Sequence, residues 1–134
     1  MARTGEDIEG YLNKLDRRFE RLDDVTYLVA MAPRQPALAI RLAPPVVVVQ
    51  VEMGRVAIDE LGAQARLFRR LLEFNSHDLM HAAYGLNGDT ITLTAALELD
   101  NLDLNELEAV LADMSLALAE HVPELKKIIE QQPS

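Results

Sequence analysis

The chain has 134 residues, 49% of them hydrophobic, which is the usual size of one domain with enough apolar mass for its own core. A formal charge of −9 repels phosphate backbones, and 4% aromatic residues are too few for a base-stacking platform, so nucleic acid is not an expected partner. The absence of cysteine removes disulfides, thiolate metal ligands and cysteine nucleophiles together. No apolar run reaches the length of a membrane span and no signal-peptide pattern opens the chain, so a single cytoplasmic domain over residues 1–134, with no membrane association, is the expectation.

From Gly5 to Asp24, the apolar residues Ile8, Tyr11, Leu12, Leu15, Phe19 and Leu22 fall at helical spacing, which predicts a first amphipathic helix. Three β-rich runs follow: Val25 to Met31, Ala37 to Leu42 and Pro45 to Met53. The turns Pro33-Arg34-Gln35-Pro36 and Ala43-Pro44-Pro45 separate them, so they should pair as an antiparallel meander. The third run is apolar on both faces at its start. Val47, Val49, Val51 and Met53 form one row, and Val46 and Val48 begin the other.

A second helix is expected from about Asp59 to Asn75. Its core stripe is Leu61, Ala65, Phe68, Leu71 and Leu72, widened by Leu67 and Phe74 beyond what packing on one sheet requires. Next, Leu86-Asn87-Gly88-Asp89 signals a two-residue hairpin turn of type I′ centred on Asn-Gly. With Leu86 opposite Asp89, Tyr84 faces Ile91, Ala82 faces Leu93 and Met80 faces Ala95 on the core side. His81, Ala83 and Gly85 lie on the reverse side with three threonines. The last helix starts at an Asp variant of the capping box, with Asp103 as cap, Glu106 at the third helical position and Leu102 stapled onto Leu107. Pro123 should break or kink it near His121, and the tail 131–134 should fray.

Residues that carry chemistry are sparse. His77, His81 and His121 have no mutual metal-ligand spacing, and Asp78 and Asp89 read as turn residues. Ser76, Ser115 and Ser134 lie outside any nucleophile-elbow context, and the glycines form no phosphate-binding pattern. The acidic run from Leu97 to Asp103 lacks the alternating oxygen ligands of a calcium loop. Arg66, Arg69 and Arg70 share one side of the second helix, and a solvated polar face accounts for them. No catalytic residue, cofactor or metal site is expected. What remains is surface: helices on one side of the sheet would leave Leu28, Ala39, Val46, Val48 and Ala83 as a partner-binding face, unless a helix of the same chain covers it.

The expected fold class is α+β, an antiparallel sheet of about five strands with three helices in the order α-β-β-β-α-β-β-α. That order resembles the class I type III secretion chaperones and their YbjN relatives, including the Tir chaperone (CesT) type. The most telling stretch runs from Ala65 to Leu125. There Leu71-Leu72-Glu73-Phe74-Asn75 leads to Ala82-Ala83-Tyr84-Gly85-Leu86 and then to Leu93-Thr94-Ala95-Ala96-Leu97. The resemblance implies a non-enzymatic homodimer that holds a segment of another protein, for example an exported effector. It also implies that the second helix supplies the dimer contact, which agrees with the broad apolar arc at Leu67, Phe68, Leu71 and Phe74. The alternative is a YbjN-like regulator that senses a small molecule or transduces a signal, using a crevice around Tyr84 and His81. Acid/base chemistry by His77 and Asp78 ranks below both.

Overall fold

The computed structural model describes residues 2–56 and 59–130. The chain begins with α1 (Gly5–Lys14), followed by four strands, β1 (Phe19–Arg21), β2 (Thr26–Val29), β3 (Leu38–Ala43) and β4 (Val46–Arg55). After them come α2 (Leu61–His77), β5 (Ala83–Asn87), β6 (Thr90–Glu98) and α3 (Leu104–Glu130). Among the described residues the strands form one antiparallel sheet in the order β1-β2-β3-β4-β6-β5. The class is α+β as expected, with six strands rather than about five, in the order α-β-β-β-β-α-β-β-α.

The extra strand arises where the first helix stops early. Asp16 takes a left-handed conformation at φ 59°, and the Arg17 amide donates to the Leu12 carbonyl while the Asp16 amide donates to that of Asn13. These two bonds make a Schellman ending with Asp where Gly is usual. Residues 19–21 are thereby released to pair with β2, and Phe19 meets Tyr27 edge-on with ring centroids 5.9 Å apart. Phe19 satisfies helical and strand periodicity alike, so the apolar pattern alone extends the helix to Asp24.

The strands alternate, except that Thr92 of β6 is also buried on the opposite face. Tyr27 and Val29, Leu38 and Ile40, Val47, Val49 and Val51, and Ile91, Leu93 and Ala95 all point to one face and are buried. Ile8 and Leu12 of α1, Leu67 and Phe74 of α2, and Leu107, Leu111 and Leu118 of α3 join the same core. Each fully buried aliphatic side chain contributes about 1.5–3 kcal/mol.

The β5–β6 hairpin keeps the expected faces but not the expected register. Asn87 pairs with Thr90, Leu86 with Ile91 and Tyr84 with Leu93, two residues along from the sequence expectation. Since side chains alternate with period two, that shift leaves the residues of the two strands on their faces, but β5 begins only at Ala83, so Met80, expected opposite Ala95 in the core, lies outside the strand and is exposed. The turn is Gly88-Asp89, in which Gly88 at φ 60° is the one positive-φ residue, so the two-residue positive-φ demand of a type I′ turn is not met.

The start of α3 follows the sequence. The Glu106 amide donates to Asp103 Oδ1 at 2.8 Å, and the Asp103 amide to Glu106 Oε1 at 3.3 Å. Pro123 does not break α3, which runs without interruption from Leu104 to Glu130. Packing holds it there, because Leu118, His121 and Leu125 are buried on either side of the missing donor. The tail 131–134 lies outside the described residues.

Candidate functional site

The core sides of all the strands face the helices, and no helix among the described residues lies on the opposite face. Leu28, Ala39, Val46 and Val48 are half-buried on that bare face, and Ala83 is exposed on it. The register lines up Leu28, Ala39, Gln50, Thr94 and Ala83 as one row across five strands, and Thr26, Arg41, Val48 and Ala96 as the next. The five residues expected at a partner-binding surface therefore lie on one face of the sheet, interspersed with Thr26, Arg41, Gln50 and Thr94.

Helix α2 distributes its apolar residues over two stripes. Ala63, Leu67, Leu71 and Phe74 are packed inside this chain's own core, with Leu67 0% and Phe74 1% exposed. Of the four positions expected at a dimer contact, Phe68 alone remains part of the helix surface. The free stripe is a different one, roughly a third of a turn or more away. It consists of Leu61, Ala65, Phe68 and Leu72, with Leu61 78% and Leu72 67% exposed. Leu61, Ala65 and Leu72, expected in the core stripe, thus lie outside it, because periodicity alone does not say which half of so wide an arc meets the sheet.

Where α2, β5 and α3 meet, the core holds a polar cluster. His121, 3% exposed, stacks on Phe74 with ring centroids 3.6 Å apart and planes 9° from parallel. Its Nδ1 lies 2.7 Å from the Tyr84 hydroxyl and its Nε2 lies 3.0 Å from Asp78 Oδ2. A neutral imidazole that accepts from Tyr84 and donates to Asp78 satisfies all three groups. Burial, and secondarily the Asp78 charge, holds the Tyr84 hydroxyl well above its ordinary value of 10.0. On the solvent side Arg70 lies 4.3 Å over the Phe74 ring and makes a bidentate bond to Glu124, whose carboxyl is held below its usual range chiefly by that bond. Asp78 thus pairs with His121 rather than His77. Tyr84 turns into the core while His81 stays outside, so the two are not brought together in one crevice.

Two further features bear on surface chemistry. Arg66 lies 3.8 Å from Glu60, and Arg69 and Arg70 lie 4.0 and 3.5 Å from Glu73, so acids balance the one basic cluster. The Asn75 side chain accepts from the Tyr84 amide at 2.7 Å and donates to the Tyr84 carbonyl at 3.1 Å, standing in for a neighbouring strand at the β5 edge. Among the described residues no cluster of His, Cys, Asp and Glu suits a metal ion, and no helix is long and apolar enough to cross a membrane.

Solved structures with this architecture include an uncharacterized protein from Methanothermobacter thermautotrophicus, at 13% identity and a TM-score of 0.66, covering 91% of this chain and 96% of that one. Another is YbjN, a proposed transcription regulator from E. coli, at 12% identity and a TM-score of 0.58, covering 87% and 92%. At such identities the likeness is one of fold. Among curated proteins none matches the chain by sequence. The CesT_Tir_1 family model matches residues 1–131, almost the whole length over which the helices and the bare-faced sheet are laid out, and the chain belongs to that family.

Proposed function

We propose that the protein is a non-enzymatic, cytoplasmic, homodimeric adaptor that holds a segment of another protein, for example an exported one, against the bare face of its sheet. The observation that supports this reading is the uncovered face that holds Leu28, Ala39, Val46, Val48 and Ala83, on a sheet whose other face carries the helices. Contiguous apolar surface of this kind marks interaction sites, and an extended guest matches the spacing of strand side chains. Family membership supports the same reading. The free stripe Leu61, Ala65, Phe68 and Leu72 supports pairing of two copies through α2, since its spacing of four, three and four residues is that of a helix–helix seam.

The test is affinity capture from the native cell with the wild-type chain and with an Ala39→Glu/Val48→Glu variant, followed by identification of what is retained. Repeated recovery of one protein by wild type and its loss with the variant is the expected result. Equal recovery by both would remove the bare face from the function.

A further inference from the structure

On the helix side of the sheet, away from the bare face and from the α2 stripe, a cleft of about 600 Å³ opens between the end of α3, the far ends of β4 and β6, and the turn before β3. Met53, Ile91, Val122, Leu125 and Ile129 line it with aliphatic or thioether side chains. Its polar side chains are Arg34, Gln35 and Lys126. Gln35 is already committed: its amide nitrogen donates to the Ser115 carbonyl at 3.0 Å and its oxygen accepts from the Ser115 hydroxyl at 3.3 Å.

The two cations are not so committed. Neither Arg34 nor Lys126 forms an ion pair among the described residues, which is also true of several other cations such as Arg41 and Lys127, but these two line the hollow and no acidic residue does. In a chain with 22 acidic and 13 basic residues, two unmatched cations beside one apolar hollow are a local reversal of charge. The walls are also built for fixed positions. Arg34 stands at φ 69° in a turn closed by the Gln35 amide on the Ala32 carbonyl, and the Gln35–Ser115 bonds pin that turn to α3. Across the cleft β4 bulges: Glu52 pairs with Thr92 and Gly54 with Ile91, so Met53 has no partner on β6 and lines the hollow.

We propose that this cleft binds a free acyl carboxylate, an unbranched aliphatic chain with one anionic head. The aliphatic floor takes the tail, and Arg34 and Lys126 take the head as a charge-assisted pair. A floor without aromatic rings or free hydrogen-bonding groups gives a planar heterocycle nothing to stack on or pair with. Enclosure by α3, β4, β6 and the turn before β3 suits a single chain rather than a bilayer surface. Such a ligand would suit the small-molecule-sensing alternative, in a hollow that neither Tyr84 nor His81 lines, and it stands independently of the adaptor reading.

The experiment titrates the full-length chain with decanoate, with methyl decanoate, and with vesicles of phosphatidylglycerol, following methyl resonances by NMR and heat by calorimetry. Decanoate is expected to bind at one site and to shift the Met53, Ile91, Leu125 and Ile129 methyls. The uncharged ester should bind about tenfold more weakly, and an R34E/K126E variant with unchanged melting should lose about the same factor for decanoate. Val122→Trp, at a half-buried position on the rim, should block both ligands by filling the hollow. Shifts confined to other residues, equal affinity for acid and ester, or sedimentation with vesicles in place of decanoate binding would each overturn the proposal.

Discussion

Asn75 shows how much a single side chain decides here. By occupying both main-chain groups of Tyr84 it closes the start of an edge strand that would otherwise be free to pair with another chain. Asn75→Leu should cost about 1–3 kcal/mol in urea denaturation, the penalty for unpaired backbone groups, and should increase aggregation of the native protein. Tyr84 offers a test with a defined sign. Its folded hydroxyl ionises above the ordinary value of 10.0, so the folded state keeps a proton that the unfolded chain releases. Stability from this group is complete below about pH 10 and declines as pH rises beyond it. Tyr84→Phe should lower stability at neutral pH by about 1–3 kcal/mol, because His121 Nδ1 loses its donor, yet flatten the alkaline decline. Part of that decline should persist, since burial, with Glu9 as its bonded partner, also raises Tyr27. Melting curves between pH 7 and 11 decide it. None of these roles is legible in the sequence, where Asn75, His121 and Asp78 are separate residues that only the packing of α2, β5 and α3 brings together.

At the scale of elements, the sequence speaks most clearly where local chemistry acts alone. The Asp103–Glu106 cap is visible because all its participants lie within four residues. The faces of β5 and β6 are likewise set by alternation, which survives the two-residue shift in register. The end of α1 is hidden because a left-handed Asp16 lacks the Gly that usually announces it. Pro123 misleads in the other direction, since tertiary packing overrides its local cost. Pro123→Ala should therefore raise stability by about 1–3 kcal/mol, seen as a higher urea midpoint, by returning a donor to the Ala119 carbonyl.

For the whole molecule, the decisive asymmetry is that, among the described residues, one side of the sheet carries every helix and the other carries none. The class and the helix order are legible because periodicity and turn residues report them directly. Which apolar residues stay outside is not legible, because hydrophobicity is the same whether Leu67 or Leu72 meets the sheet. Two variants separate these roles. Leu72→Asp alters an exposed position and should leave the fold intact while shifting a dimer to monomer in light scattering. Phe74→Asp puts an unpaired charge in the core, costs several kcal/mol and should unfold the chain. An unchanged dimer with Leu72→Asp would take the stripe out of the association.

The 27 residues of α3 span about 40 Å. Along that length Asp113 receives the amide of His81, Ser115 anchors the Gln35 turn, His121 meets Tyr84 and Asp78, and Glu124 holds Arg70. The helix is a spine to which distant parts of the chain are riveted at successive levels. A disturbance at any one rivet is therefore borne by the others, and the backbone amides along the spine should exchange with solvent as one unit rather than piecemeal.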